Sequence, residues 1–194
     1  MTEFTEAAKG LTDLPIAFLA LIFAVISFKK DNKKWGVVFL FTGISAIFGV
    51  VAHTFVFSDL TLKIIWTVLY ILLFESIRRF TVLLLRLIYK ADNTEKYIKI
   101  AEFSLCFVCL FFLYGIGKND ILVLVLFALI CLILLISGII KHKYKNKYIY
   151  LLFCLLTVTA LLQIPAKAFP LLVVFEHLFL FASLFVVYFI SKNE

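Results

Sequence analysis

Residues 35–57 read WGVVFLFTGISAIFGVVAHTFVF, twenty-three positions without a Lys, Arg, Asp or Glu. At about 1.5 Å of rise per residue, such a segment makes a helix of roughly 35 Å, enough to cross a hydrocarbon layer about 30 Å thick. A helix is also the form in which an apolar run leaves no backbone group unpaired in lipid. The rest of the chain repeats the pattern. Of its 194 residues 64% are apolar and 16% charged, and the mean hydropathy is +1.13; a soluble domain carries about 25% charged residues. This composition excludes an ordinary soluble fold, whose interior could not take so many Leu, Ile, Val and Phe.

Six further segments approach the same length, at about 8–28, 60–80, 98–116, 120–140, 148–164 and 169–190. The expectation is an all-α integral membrane protein, a single domain over residues 1–194 built as a bundle of seven transmembrane helices. No Gly-, Pro- or Ser-rich linker and no internal repeat divides it. The first segment follows MTEFTE and runs directly into Lys29-Lys30-Asp31, so it lacks the basic start and small-residue cleavage site of a signal peptide. Apolar residues continue past Arg78 and Arg79 through Val82 to Leu85. The third helix is therefore expected either to run on beyond the membrane or to bend into its interface.

The net charge is +7, but the basic residues fall in short clusters between apolar runs, which points to an anionic leaflet and excludes nucleic acid as the partner. Fifteen of the nineteen Lys and Arg lie on one side of the expected spans: Lys29, Lys30, Lys33, Lys34, Arg78, Arg79, Arg86, Lys90, Lys96, Lys99, Lys141, Lys143, Lys145, Lys147 and Lys192. Lys9, Lys63, Lys118 and Lys167 lie on the other. The asymmetry predicts a plasma-membrane protein with its N-terminus outside and its C-terminus in the cytosol. Cys106, Cys109, Cys131 and Cys154 all sit inside apolar runs, where thiols pack between helices, and the Cys106–Cys109 spacing reads as packing.

An ionisable side chain inside a span costs several kcal/mol unless it faces the bundle interior with a partner, so the few that occur there are the informative ones. Asp13, His53, Asp59, Asp120, Gln163, Glu176 and His177 fall at one depth, toward the outer leaflet. Ser45, Gly49 and His53 form a small and polar stripe at i, i+4 and i+8, suited to close helix approach. Two histidines on different helices with carboxylates nearby fit a divalent transition metal, zinc above all, held by His53, His177, Glu176 and Asp13 with one position open for water. Hydrogen bonding of both histidines to neutral partners near the headgroups fits the same pattern, and haem between them would need a flat apolar slot. Glu75, one turn before Arg78 and Arg79, is expected to pair with them. His142 stands among lysines and reads as part of a solvated charge run.

Seven spans with an external N-terminus, His53 late in the second, Asp59 at the start of the third and His177 early in the last resemble the zinc-dependent seven-span hydrolases that include the alkaline ceramidases and the progestin and adipoQ receptors. That superfamily shows Ser-x3-His, an Asp and His-x3-His at these places. Here Gly49 stands at the serine position with Ser45 one turn earlier, and Phe181 replaces the second histidine of the last span. The resemblance implies that His53 and His177 are metal ligands, with Glu176 or Asp13 taking the vacant place, and that Asp59 holds the metal-bound water. Asp59 and Ser45 are then the catalytic candidates, and the substrate a lipid amide or ester entering from the outer leaflet. Two other functions suit the same bundle. One is a non-catalytic sensor of lipid or small molecules, or an assembly partner. The other is a proton-coupled transporter, although no inverted repeat or broken helix marks one.

Overall fold

The computed structural model describes residues 3–88, 147–166 and 171–192. Within them the chain forms α1 (Glu3–Lys29), α2 (Lys33–Thr54), α3 (Asp59–Ile88), α4 (Lys147–Ala166) and α5 (Leu171–Lys192). Four stretches are long and apolar enough to cross a membrane: Gly10–Lys29, Lys33–Thr54, Asp59–Leu84 and Leu172–Lys192. The apolar part of α4, Tyr148–Thr159, is shorter. The described residues thus form an all-helical protein with four membrane-length helices, which fall on four of the seven expected spans. The segments at 98–116 and 120–140, with Asp120 and His142, lie outside the described residues.

α1 starts earlier than expected, and α3 takes the first of its two expected courses. α1 begins at Glu3, so Pro15 lies inside the helix and not near its start. Its ring removes the N–H that would bond the Leu11 carbonyl. α3 runs unbroken to Ile88 and does not bend at Arg78-Arg79. Its thirty residues make a rod of about 45 Å, longer than a hydrocarbon layer.

The turn from α1 to α2 follows from its local chemistry. Asp31 adopts the left-handed conformation, φ 58°, a place where Asp is tolerated because its short polar side chain bonds locally. Around it the Asn32 N–H donates to Ser27 O at 2.9 Å and the Asp31 N–H to Phe28 O at 3.1 Å. These are the two bonds of a Schellman cap, which satisfy carbonyls that a helix end otherwise leaves open. The Asn32 side chain then donates to Ser191 O at 3.0 Å and ties this turn to the end of α5.

α1 packs against α2 on one side and α5 on the other, α3 packs on α2, and α4 on α5. The first and last helices are therefore neighbours. On α1, Ile16, Ala17, Ala20, Phe23 and Ala24 are buried, while Leu11, Phe18, Ile22 and Val25 are each more than half exposed on the other face. Such an apolar outward stripe suits lipid. The main core lies at the basic end of the bundle, where all five helices contribute: Phe23, Trp35, Phe39, Leu83, Leu84, Leu152, Phe153, Val187 and Ile190 belong to it. Phe23 stacks on Tyr188 at 4.2 Å between ring centroids and meets Phe39 edge-on at 5.6 Å.

Candidate functional site

The opposite end of the bundle holds the polar residues. Asp13 on α1 faces His177 on α5, with Oδ1 3.0 Å from Nε2. The side chains are 18% and 13% exposed, so the pair is largely withdrawn from its surroundings. The other ring nitrogen, Nδ1, lies 2.7 Å from Val173 O, one turn back on α5. A carbonyl only accepts, so Nδ1 carries a hydrogen. The second proton then sits either on Nε2, facing an ionised Asp13, or on Asp13, donating to Nε2. Both forms are neutral overall, and both keep one proton between two helices.

The third wall of this site is α2. A methyl group at Gly49 would lie 2.7 Å from Asp13 Oδ2, so the carboxyl group fits only because this position has no side chain. The close approach expected of the Ser45-Gly49-His53 stripe thus exists, and α1 is the helix that makes it. One turn farther out, Gly10 sits against His53, and a methyl there would lie 3.5 Å from its Cβ. The His53 ring meets Trp66 of α3 edge-on at 5.2 Å.

Of the residues singled out from the sequence, the structure brings Asp13 and His177 into contact and sets His53 against Gly10 of α1 and Trp66 of α3. Glu176 is buried, 6% exposed, on the inward face of α5. Ser45 is buried too, but its hydroxyl donates to Thr42 O at 2.8 Å within its own helix. Asp59 is exposed on the first turn of α3, a helix that packs on α2 and not on α5. The side chain of Gln163 lies outside the described set.

In this arrangement Nε2, the ring nitrogen that could serve a metal, faces the Asp13 carboxyl group. Neither proton placement leaves His177 a free nitrogen lone pair, because Nδ1 is protonated and Nε2 is held by Asp13. Among the described residues no group of three or more His, Cys, Asp or Glu stands close enough to share an ion. Coordination through Nε2 would require the direct contact with Asp13 to open, while the Nδ1–H bond to the Val173 carbonyl could remain.

Three polar features were not foreseen from the sequence. Thr42 and Ser76 share a hydrogen bond of 2.7 Å between α2 and α3, and Ser76 also donates to Val38 O at 3.0 Å. Asn32 reaches Ser191, as described above. Each is a small hydroxyl or amide whose partner lies on another helix, a signal visible in the sequence only once the helix pairs are known. The expected Glu75 pairing is present: Arg78 grips Glu75 with Nε and Nη2, both at 2.8 Å, and Arg79 Nε donates to it at 2.6 Å. Among the described residues, no buried side-chain nitrogen or oxygen lacks a partner.

Fold and site together define an all-helical membrane protein with an Asp–His contact between its first and last described helices. Residues 8–192 match a family described as a family of unknown function (DUF6962), and the chain belongs to that family. No curated protein matches the chain, and no solved structure does.

Proposed function

We propose that this chain is a non-catalytic, seven-span plasma-membrane protein, with its N-terminus outside, that senses a lipid or small molecule through the packing of its helices. The observation that supports the non-catalytic reading is the direct contact of His177 Nε2 with Asp13, which occupies the nitrogen that a metal would take. A histidine so held links two helices and has no lone pair to offer a metal or a substrate proton. The Asp13–His177 contact is then the element that a bound molecule would tighten or loosen. The span count and orientation rest on the alternation of apolar runs and on the basic asymmetry between the two sides.

A second reading, the metal-dependent lipid hydrolase of the resembling superfamily, is favoured by the contact of Asp13 with His177 and by the packing of His53 against Gly10 of the same α1. It requires Asp13 to leave His177. Zinc titration of the purified protein by calorimetry separates the two. The sensor reading expects no stoichiometric zinc binding that depends on His177. It also expects Asp13→Asn, whose amide can still donate to Nε2, to keep the thermal midpoint near that of the natural chain. One zinc per chain, abolished by His53→Ala and by His177→Ala, would replace it with the hydrolase.

A further inference from the structure

At the end of the bundle opposite the Asp13–His177 contact, an open cavity of about 200 Å³ is lined by Lys34, Arg78, Arg79, Val82, Leu83 and Arg86. Four of these six side chains are cationic and none is acidic. Lys34 stands on the first turn of α2 and the three arginines on the second half of α3, so two helices converge their positive charge on one space. The cavity lies beside the apolar core, to which Leu83 belongs, and Val82 and Leu83 give it an apolar wall. Positive charge over an apolar wall, at the end of membrane-length helices, matches a molecule that is anionic at its head and hydrocarbon below.

Arg78 and Arg79 are held in place before any ligand arrives. Glu75 takes two bonds from Arg78 and one from Arg79, and the Arg79 guanidinium lies over the Phe41 ring at 5.6 Å. Fixing a guanidinium removes most of the rotamer entropy that binding would otherwise cost, and its planar fork of donors suits phosphate oxygens. A group anchored through Nε keeps N–H donors on its outer edge.

We infer that this cavity binds the phosphate of an anionic phospholipid, with Lys34, Arg78, Arg79 and Arg86 around the headgroup and Val82 and Leu83 along the start of the acyl chains. On the proposed orientation this end faces the leaflet rich in anionic lipid. The site is distinct from the Asp13–His177 contact and stands or falls without it.

The test uses the full chain in detergent micelles, where orientation plays no part, so its failure and that of the proposed topology are separable. Native mass spectrometry compares retention of dioleoyl phosphatidic acid, dioleoyl phosphatidylcholine and inorganic phosphate. The inference expects phosphatidic acid to be retained at least tenfold better than phosphatidylcholine, and to raise the thermal midpoint. Lys34→Gln combined with Arg86→Gln should cut that preference about tenfold and remove the shift. Lys63→Gln, at the other end of α3, should leave both unchanged. The Lys34 and Arg86 changes spare the Glu75 contacts, and a midpoint near the natural value without lipid shows that the variant is folded. Equal retention of the two lipids, or a preference that survives the double variant, overturns the inference. So does inorganic phosphate that displaces the lipid at equal concentration, since the cavity would then be a site for the free anion.

Discussion

His177 illustrates how a single side chain can be placed by sequence while its contacts depend on local geometry. Its depth in the last span, and that of Asp13 in the first, follow from counting residues along apolar runs, and the two do meet. Which atoms the ring nitrogens face depends on the rotamer, and the Val173 carbonyl one turn back is available to any histidine in a helix. Ser45 is a similar case. A serine inside a helix readily bonds a carbonyl three or four residues earlier, and here it does so to Thr42 and takes no part in the polar site. At the α1–α2 turn, Asp31 occupies a left-handed position that glycine adopts at no steric cost. Asp31→Gly should stabilise the protein by about 0.5 kcal/mol, net of an exposed ion pair with Lys33 that is worth little. The check is the thermal midpoint in detergent, which should rise by about 1–2 °C, while Asp31→Val should lower it.

Helix–helix approach in lipid cannot rely on the hydrophobic effect and is governed by small residues that let backbones come together. α2 meets this demand along α1. At Gly43 a methyl group would lie 2.8 Å from the Leu21 side chain and 3.2 Å from the Leu21 backbone nitrogen. Backbone cannot move aside as a flexible side chain can, so Gly43→Ala should destabilise the α1–α2 pair by about 1–3 kcal/mol. Ala46→Gly, on the same helix, should cost only the roughly 1 kcal/mol of helix propensity. Denaturation of both variants in mixed micelles measures the difference. The existence of these helices was legible from apolar run length alone, and so was the Glu75 pairing with Arg78 and Arg79. The extension of α1 back to Glu3 was not, because hydropathy reports where lipid ends and a helix can continue into water; that of α3 to Ile88 was one of two courses that the apolar run past Arg79 allowed.

Across the whole molecule, the basic and polar ends differ in what holds them together. The basic end has a packed aromatic and aliphatic core drawn from all five described helices. The far end depends on a few polar contacts, of which Asp13–His177 joins the first described helix to the last. In a chain with its four cysteines replaced, Ser58→Cys, in the α2–α3 connection, should react with an impermeant maleimide added outside cells. Lys30→Cys, in the α1–α2 turn, should react only after permeabilisation. The reverse pattern would invert the proposed topology. The claim that Asp13 and His177 clamp α1 to α5 is tested most directly by a double-mutant cycle. The unfolding free energies of Asp13→Ala, His177→Ala and the double variant are measured by steric trapping in bicelles. The clamp predicts a coupling of about 0.6–1.7 kcal/mol, the range found for hydrogen bonds between helices in membranes. Additive losses, with coupling indistinguishable from zero, would contradict it.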